Sequence, residues 1–188
     1  MKMFMLDLET LGTNPGCVIL SIGAVRFDSK KPGDWFYSRI DLQSSLDAGF
    51  RIESDTLMWW FRHGEAAIEH SSLGGEMILD ALIRFCKFLG DGKLEMWGNG
   101  ATFDNAILLG AFEKLGLGKD CWERREDRCF RTLCDTAGSG LMKDYDATFP
   151  LLNPPEGWAT VGRHHALRDA ACQAAHAERI FQRMGIPL

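Results

Sequence analysis

Two carboxylates stand at the end of the first apolar run of the chain. Residues 3–6 are all apolar, as is typical of a strand buried on both faces. Because side chains alternate across a strand, Asp7 and Glu9 point to the same side, roughly 6.5–7 Å apart along it. Two acids at the edge of a core repel each other and lose hydration, so they need a cation or a proton. The pair therefore suits Mg²⁺ or Mn²⁺, which prefer carboxylate oxygens. The alternative is a strand that runs out into solvent with two acids that bind nothing.

A third carboxylate, Asp104, follows a glycine-bearing loop in the middle of the chain. The loop, residues 98–105, connects a short predicted strand to a helix that extends to about Leu115. Asp104 falls in the first helical turn, where the helix dipole favours a carboxylate, and this dipole is also its purely structural explanation. The loop lacks the Gly-Lys-Ser/Thr of a P-loop and the spacing of a dinucleotide fingerprint, so neither nucleotide-binding motif is predicted.

A histidine and a fourth carboxylate flank the start of the last predicted helix, which is rich in alanine and ends near Met184. Five helical residues turn through about 500°, so His164 and Asp169 share a cleft only if His164 lies on the incoming loop. His165 is predicted to be a surface or packing residue. The alanines form a flat face that lets the helix lie close to a sheet: Ala166, Ala170, Ala174 and Ala177.

Alternating strands and helices are predicted to position these groups. The predicted strands are residues 3–6, 17–27, 35–40, 94–97 and 128–132, the first three forming an antiparallel meander. The predicted helices are residues 52–62, 76–89, 104–115, a segment running through Leu141, and 166–184. Residues 29–34 read as a turn, residues 120–131 as a mostly solvated charged stretch, and residues 144–161 as an ordered loop or flap.

The helix at residues 52–62 carries two adjacent tryptophans, Trp59 and Trp60. Their rings diverge by about 100° on a helix, so one is expected to be deeply buried. Core packing explains them, and a stacking surface near a nucleobase is the alternative.

Composition indicates one globular domain over residues 1–188, with 46% hydrophobic and 25% charged residues. No apolar run reaches the roughly 18–20 residues of a membrane helix, and the first residues do not read as a signal peptide. We therefore expect a cytoplasmic protein without a membrane partner. The net charge of −5 argues against a broad basic surface that holds long nucleic acid by phosphate contacts alone.

Six cysteines are scattered along the chain, with no two at the spacing of a metal knuckle. In a cytosolic chain they are expected to be reduced thiols, and no zinc site is predicted. They are Cys17, Cys86, Cys121, Cys129, Cys134 and Cys172.

The ordered set of Asp-x-Glu-Thr, a mid-chain Phe-Asp after a glycine loop, and a late His-x-Ala-x-x-Asp resembles the DEDDh 3′–5′ exonucleases. These DnaQ-like enzymes belong to the ribonuclease H-like superfamily. The segments MLDLETLGTNPGCVILSIGAVRFD, DTLMWW and WGNGATFDNAIL look like its exodeoxyribonuclease VIII-like group, which includes small bacterial and phage exoribonucleases. Over nearly the whole chain, the resemblance implies an α/β fold: a ribonuclease H-like five-stranded mixed sheet flanked by helices.

The resemblance also implies roles for particular residues. Its four metal-binding acids are Asp7, Glu9, Asp104 and Asp169, with His164 as general base. Two Mg²⁺ or Mn²⁺ ions, bridged by Asp7, would activate a water and stabilise the leaving oxygen, and histidine titrates near neutral pH. The implied contacts to the 3′-terminal nucleotide are Thr10, Leu11 and Gly12, with Trp60 and Asn99 as further candidates. Family members usually carry an Asn four residues before the middle Asp, where this chain has Gly100.

The expected activity is a metal-dependent 3′–5′ exonuclease that releases nucleoside 5′-monophosphates from nucleic acid with a 3′ end. One alternative is a catalytically silent nucleic-acid-binding module of the same fold, whose sequence sign would be the loss of one acid. Another is a structural protein whose acids are only solvated. The sequence does not distinguish RNA from DNA, or single from double strands, as the substrate. The resemblance is compatible with a homodimer.

Overall fold

The computed structural model of the chain describes residues 1–28, 32–62, 74–117, 121–138 and 147–187. The strands in these ranges are β1 (Lys2–Thr10), β2 (Ile19–Arg26), β3 (Trp35–Arg39), β4 (Leu94–Gly98) and β5 (Asp127–Cys129). The α-helices are α1 (Leu42–Asp47), α2 (Ser54–Arg62), α3 (Ile78–Leu89), α4 (Asp104–Lys114), α5 (Phe130–Ala137) and α6 (Ala166–Met184). Short 3₁₀ turns occur at Arg124–Glu126 and Trp158–Thr160.

The five strands form one mixed sheet in the order β3-β2-β1-β4-β5. Strand β1 pairs antiparallel with β2, and β2 pairs antiparallel with β3. On its other side β1 pairs in parallel with β4, which pairs in parallel with β5. The fold class predicted from the resemblance, a five-stranded mixed sheet flanked by helices, is confirmed.

Strand β1 at the centre of the sheet separates two hydrophobic cores. Phe4, Leu6 and Leu8 lie in the core that also contains the buried faces of α3 and α4. Met5, on the other side of the strand, lies in the core beneath α5 and α6. Asp7 and Glu9 continue the Met5 side by alternation, so both carboxylates point toward the helix that carries Asp169.

The alanine face of α6 lies against the sheet, as predicted, and its alanines are fully buried along β1 and β2. A Cβ atom at Gly23 of β2 would collide with the backbone of Ala166 and Leu167. Glycine at this position therefore lets the first turn of α6 touch the sheet directly beside Asp7, whose register partner is Gly23. The close approach brings Asp169 to the acid-bearing end of β1.

Several predicted boundaries are wrong. The fifth strand covers Asp127–Cys129, not residues 128–132, and α5 begins at Phe130 and ends at Ala137. Asp127 is not a solvated charge: it accepts hydrogen bonds from Asn105 Nδ2 (2.8 Å) and Trp122 Nε1 (2.9 Å). Helix α1 was not predicted, because its six residues are too short for a periodic pattern. The predicted end of α5 at Leu141 and residues 29–31 of the predicted turn lie outside the described residues.

The expectation that all six cysteines are reduced thiols is wrong for one pair. Cys86, near the end of α3, and Cys121 form a disulfide with their Cα atoms 5.1 Å apart. They are 35 residues apart in the sequence, so their spacing gave no indication of the pairing. The other four cysteines are not in a disulfide.

The described part of the predicted loop is ordered against the sheet and α6. The Phe149 side chain is buried, and its backbone N–H donates to the carbonyl of Ala171 (2.8 Å). Leu151 forms a bridge with Gly33 at the edge of the sheet. Residues 144–146 of the predicted loop lie outside the described ranges. Among the described helices, none has the length and apolar character needed to cross a membrane.

Candidate active site

A cleft of about 500 Å³ opens at the acid-bearing end of β1. All five residues predicted to be catalytic line it, although they come from three distant parts of the chain. They are Asp7, Glu9, Asp104, His164 and Asp169.

Asp104 reaches the cleft from the first residue of α4 and is only 3% exposed. Its Oδ1 atom accepts a hydrogen bond from the backbone N–H of Leu8, the residue between the two acids of β1 (3.2 Å). The next residue, Asn105, fixes the start of α4 against the sheet, since its Nδ2 atom donates to the Met96 carbonyl and to Asp127, each at 2.8 Å. The half-buried Asp127 therefore helps to place Asp104.

His164 lies on the loop that enters α6, as required for it to share a cleft with Asp169. Its backbone has a φ of 60°, in the left-handed region that few residues other than glycine adopt. The backbone N–H of His164 donates to Asp169 Oδ2 (3.2 Å), and its ring meets Trp59 edge-on at 5.4 Å between centroids. His165 instead stacks on Tyr37 at 4.3 Å, so its predicted packing role is confirmed.

The electrostatics of the cleft favour a bound cation or proton. Burial, reinforced by the charges of Asp104, Glu9 and Asp169, raises the pKa of Asp7 well above its usual range. Burial, reinforced by the charges of Asp169 and Asp104, raises the pKa of Glu9 to about 8. Burial raises the pKa of Asp104 to about 7, and it also raises the pKa of Asp169, against the opposing charge of His164. At neutral pH these carboxylates therefore compete for protons unless another positive charge is present.

The donor set fits a hard divalent cation. One ligand atom from each of Glu9, His164 and Asp169 lies within 4.8 Å of the other two. The Asp7 and Asp104 carboxylates line the same cleft. Carboxylate oxygens are the ligands that Mg²⁺ and Mn²⁺ prefer, and a cation would stabilise the ionised carboxylates that burial disfavours.

Four of the five predicted substrate contacts line the cleft: Thr10, Gly12, Trp60 and Asn99. Leu11 is not in the cleft lining, because its side chain is buried in the core beneath α3 and α4. Thr10 holds the turn together: its hydroxyl donates to the Gly12 carbonyl (2.6 Å), and its own carbonyl accepts from Trp60 Nε1 (2.8 Å).

The two tryptophans divide their roles as the helical geometry predicts. Trp60 is 4% exposed and packs in the core, whereas Trp59 is 37% exposed on the cleft wall. Their rings meet edge-on with centroids 5.1 Å apart. The more exposed ring is therefore the better placed of the two to meet a nucleobase.

Two polar residues that the sequence did not single out also line the cleft. Gln173 donates from Nε2 to Asp7 Oδ1 (2.7 Å), and the Arg131 guanidinium donates to the Asn99 carbonyl (3.0 Å). Gln173 follows Asp169 by four residues, a spacing that shares one helix face. This four-residue spacing was the available signal in the sequence, but it identifies Gln173 only once it is known which side of α6 faces the cleft.

Comparison with known proteins identifies a family and two solved structures of similar fold. Residues 2–181 match the family model described as the 3′-5′ exoribonuclease Rv2179c-like domain. No curated protein is a detectable match to the chain. The structure of exonuclease X in complex with 5′ overhanging duplex DNA aligns with a TM-score of 0.58 at 19% identity, over 97% of this chain and 93% of that chain. The product-bound structure of exonuclease I aligns with a TM-score of 0.60 at 16% identity, over 98% of this chain and 46% of that chain. At these identities the two solved structures support the fold.

Proposed function

Because the chain belongs to the 3′-5′ exoribonuclease Rv2179c-like family, we propose that it is a divalent-cation-dependent 3′–5′ exonuclease. In this proposal it hydrolyses nucleic acid from a 3′ end and releases nucleoside 5′-monophosphates. It acts as a single domain over residues 1–188, in the cytoplasm, and a homodimer is compatible with the proposal. The observation that carries it is the convergence of four carboxylates and one histidine on a single cleft.

The four carboxylates would hold two Mg²⁺ or Mn²⁺ ions, which when bound supply an activated water and stabilise the leaving oxygen. The raised pKa values of Glu9 and Asp104 support this assignment, since each acid gains from a nearby positive charge. The buried positions of both acids keep competing solvent away from their oxygens.

His164 would act as the general base that takes a proton from the attacking water. It is held on a loop beside Asp169, with its ring against the edge of Trp59. The loop position allows the imidazole to meet the cleft without belonging to the rigid helix that carries Asp169.

The turn after Glu9 would receive the terminal nucleotide. Thr10 and Gly12 are tied to each other and to Trp60, so this wall of the cleft is fixed before a strand binds. Asn99 is held on the opposite loop through its carbonyl by Arg131. The exposed Trp59 ring offers a stacking surface that accepts any base.

The proposal is tested with 5′-labelled RNA and DNA strands of matched sequence, in Mg²⁺ or Mn²⁺ and in chelator. The family description names ribonucleic acid and the exonuclease X structure contains duplex DNA, so both polymers are included. We expect a ladder that shortens from the 3′ end, release of 5′-monophosphates, and no products in chelator. A circular strand, which has no 3′ end, should stay intact.

Two variants serve as matched controls. Asp104→Asn removes a buried cleft carboxylate and should abolish the ladder, whereas Asp80→Asn removes an exposed acid on α3 and should leave it unchanged. Strand binding without turnover by the unmodified protein would contradict the proposal and favour the silent binding module. Full activity of Asp104→Asn would contradict the assignment of the site.

A further inference from the structure

The floor of the cleft contains an amide that none of the roles above requires. Gln173 lies on α6 one turn after Asp169 and is 8% exposed. Its Nε2 atom donates a hydrogen bond of 2.7 Å to Asp7 Oδ1. Among the described residues, Gln173 is the one whose side chain is seen to donate a hydrogen bond to the Asp7 carboxylate. The contact joins positions 166 residues apart, across the interface between α6 and β1.

An amide is well suited to hold a carboxylate that must also bind a cation. The N–H donor occupies one direction on Oδ1 and leaves the other acceptor directions of the carboxylate for a cation. A lysine or arginine at the same distance would bind Asp7 more strongly, but its positive charge would repel the cation. Glutamine fixes the carboxylate without competing for the site.

The other end of the amide gives a second, independent indication. Gln173 Oε1 is buried and has no hydrogen-bond partner among the described residues. A buried acceptor without a partner lowers stability, and an apolar side chain of similar length would not carry that cost. Gln173 is therefore a poor choice for packing alone, and its value lies in the contact with Asp7.

We propose that Gln173 is a positioning residue that holds Asp7 in a single orientation for a divalent cation. The inference rests on the proposed function, because it assumes that Asp7 is a metal ligand. Gln173 acts through Asp7, as hydrogen-bond partners of metal ligands do, and such partners typically contribute about 10- to 100-fold to metal affinity.

The test measures Mn²⁺ binding to the full chain without nucleic acid, by electron paramagnetic resonance of the free ion. Gln173→Met should weaken Mn²⁺ binding about 10- to 100-fold, because Asp7 loses its donor. The melting temperature of the metal-free variant should stay close to that of the parent protein, because removal of the unpaired Oε1 offsets the hydrogen bond that Asp7 loses. Gln182→Met, at an exposed glutamine of the same helix, should change neither value.

A second variant tests whether the amide at residue 173 must reach Asp7 or only needs to be polar. Gln173→Asn keeps the amide but is shorter by one methylene, so its donor no longer reaches Asp7, and Mn²⁺ binding should weaken as in Gln173→Met. Mn²⁺ binding within about twofold of the parent in both variants would overturn the proposal, since that change is far below the 10-fold minimum. A fall in melting temperature with unchanged Mn²⁺ affinity would also overturn it and make Gln173 a packing residue.

The outcome is distinguishable from failure of the proposed function. If the parent binds Mn²⁺, Gln173→Met weakens that binding, and no strand is degraded, the positioning role stands and the exonuclease proposal fails. If the parent degrades strands and Gln173→Met binds Mn²⁺ like the parent, the exonuclease proposal stands and the positioning role fails.

Discussion

The two faces of β1 differ sharply although their residues alternate one by one. On one face Phe4, Leu6 and Leu8 are buried in a continuous apolar core. On the other face Met5 lies in a second buried apolar core, but the next side chain on that face is the carboxylate of Asp7. Burial that stabilises the first face destabilises the ionised groups of the second.

This difference separates stability from function within one strand. Phe4 and Leu6 on the apolar face stabilise the fold and are not among the residues that line the cleft, whereas Leu8 lines it. On the acidic face, burial and, to a smaller extent, repulsion between the acids raise the pKa values of Asp7 and Glu9, and a bound cation would offset both effects. The apolar core on the opposite face of the same strand therefore offsets the loss of stability that the buried acids cause.

The largest expected effect concerns two neighbouring histidines that face different surroundings. His164→Ala should lower the turnover rate about 10²- to 10⁴-fold, the usual range for loss of a general base. Mn²⁺ affinity should change far less, since four carboxylates remain. His165→Phe, which keeps a ring on Tyr37, should leave turnover unchanged. Equal rates for His164→Ala and the parent in steady-state kinetics would remove His164 from the mechanism.

A core substitution on the apolar face should affect stability and spare the chemistry. Leu6 is fully buried, so Leu6→Ala should lower the free energy of unfolding by about 2–5 kcal/mol. Urea denaturation measures this change, and turnover per folded molecule should stay near the parent value. A loss of Mn²⁺ affinity comparable with that of an acid variant would show that the two faces are not independent.

The pH dependence of stability should reveal the cost of burying these acids. The pKa values of Glu9 and Asp104 are raised from ordinary values of 4.5 and 3.8 to about 8 and 7. An acid with a raised pKa binds more protons in the folded than in the unfolded chain, so stability is lost as pH rises between the two values. The metal-free protein should therefore become less stable from about pH 4 to about pH 8.

Urea denaturation in chelator, repeated with saturating Mn²⁺, measures this loss. Bound Mn²⁺ should reduce the loss, and Glu9→Gln should reduce it without metal, because one raised pKa is removed. Metal-free stability that is independent of pH across this range would contradict the picture of an acidic face under repulsion.

The smallest expected effect is at the rim of the cleft. Arg131 is exposed at the cleft, where its charge would attract a phosphate of the bound strand, so Arg131→Ala should raise KM about two- to fivefold and leave kcat nearly unchanged. Arg131→Lys, which keeps the charge, should show a smaller rise. A fall in kcat larger than the rise in KM would instead place the guanidinium at the reacting atoms.

Local rules predicted the acidic face of β1 well. Alternation along a strand needs only adjacent residues, so Asp7 and Glu9 could be assigned to one side from the sequence. The placement of His164 on a loop also followed from local helix geometry. These groups converge because Gly23 lets α6 approach the sheet, a contact that only the structure locates.

Contacts between distant segments were not predictable in the same way. Gln173 meets Asp7 because of where α6 crosses β1, and Asp127 is half-buried and hydrogen-bonded because Asn105 and Trp122 reach it. The sequence alone made Asp127 a solvated charge, since its neighbours along the chain are charged. Pairings over such distances depend on the tertiary fold and leave no local pattern.

The central claim is that the acidic face of β1 is a cation-dependent centre for cleavage at a 3′ end. Its most direct test is the rate of 5′-monophosphate release as a function of Mn²⁺ concentration, for the parent and for Asp7→Asn. The account predicts a rate that rises with Mn²⁺ and saturates in the parent, with no measurable release by Asp7→Asn at any concentration. Release by Asp7→Asn at the parent rate, or release that is independent of Mn²⁺, would contradict it.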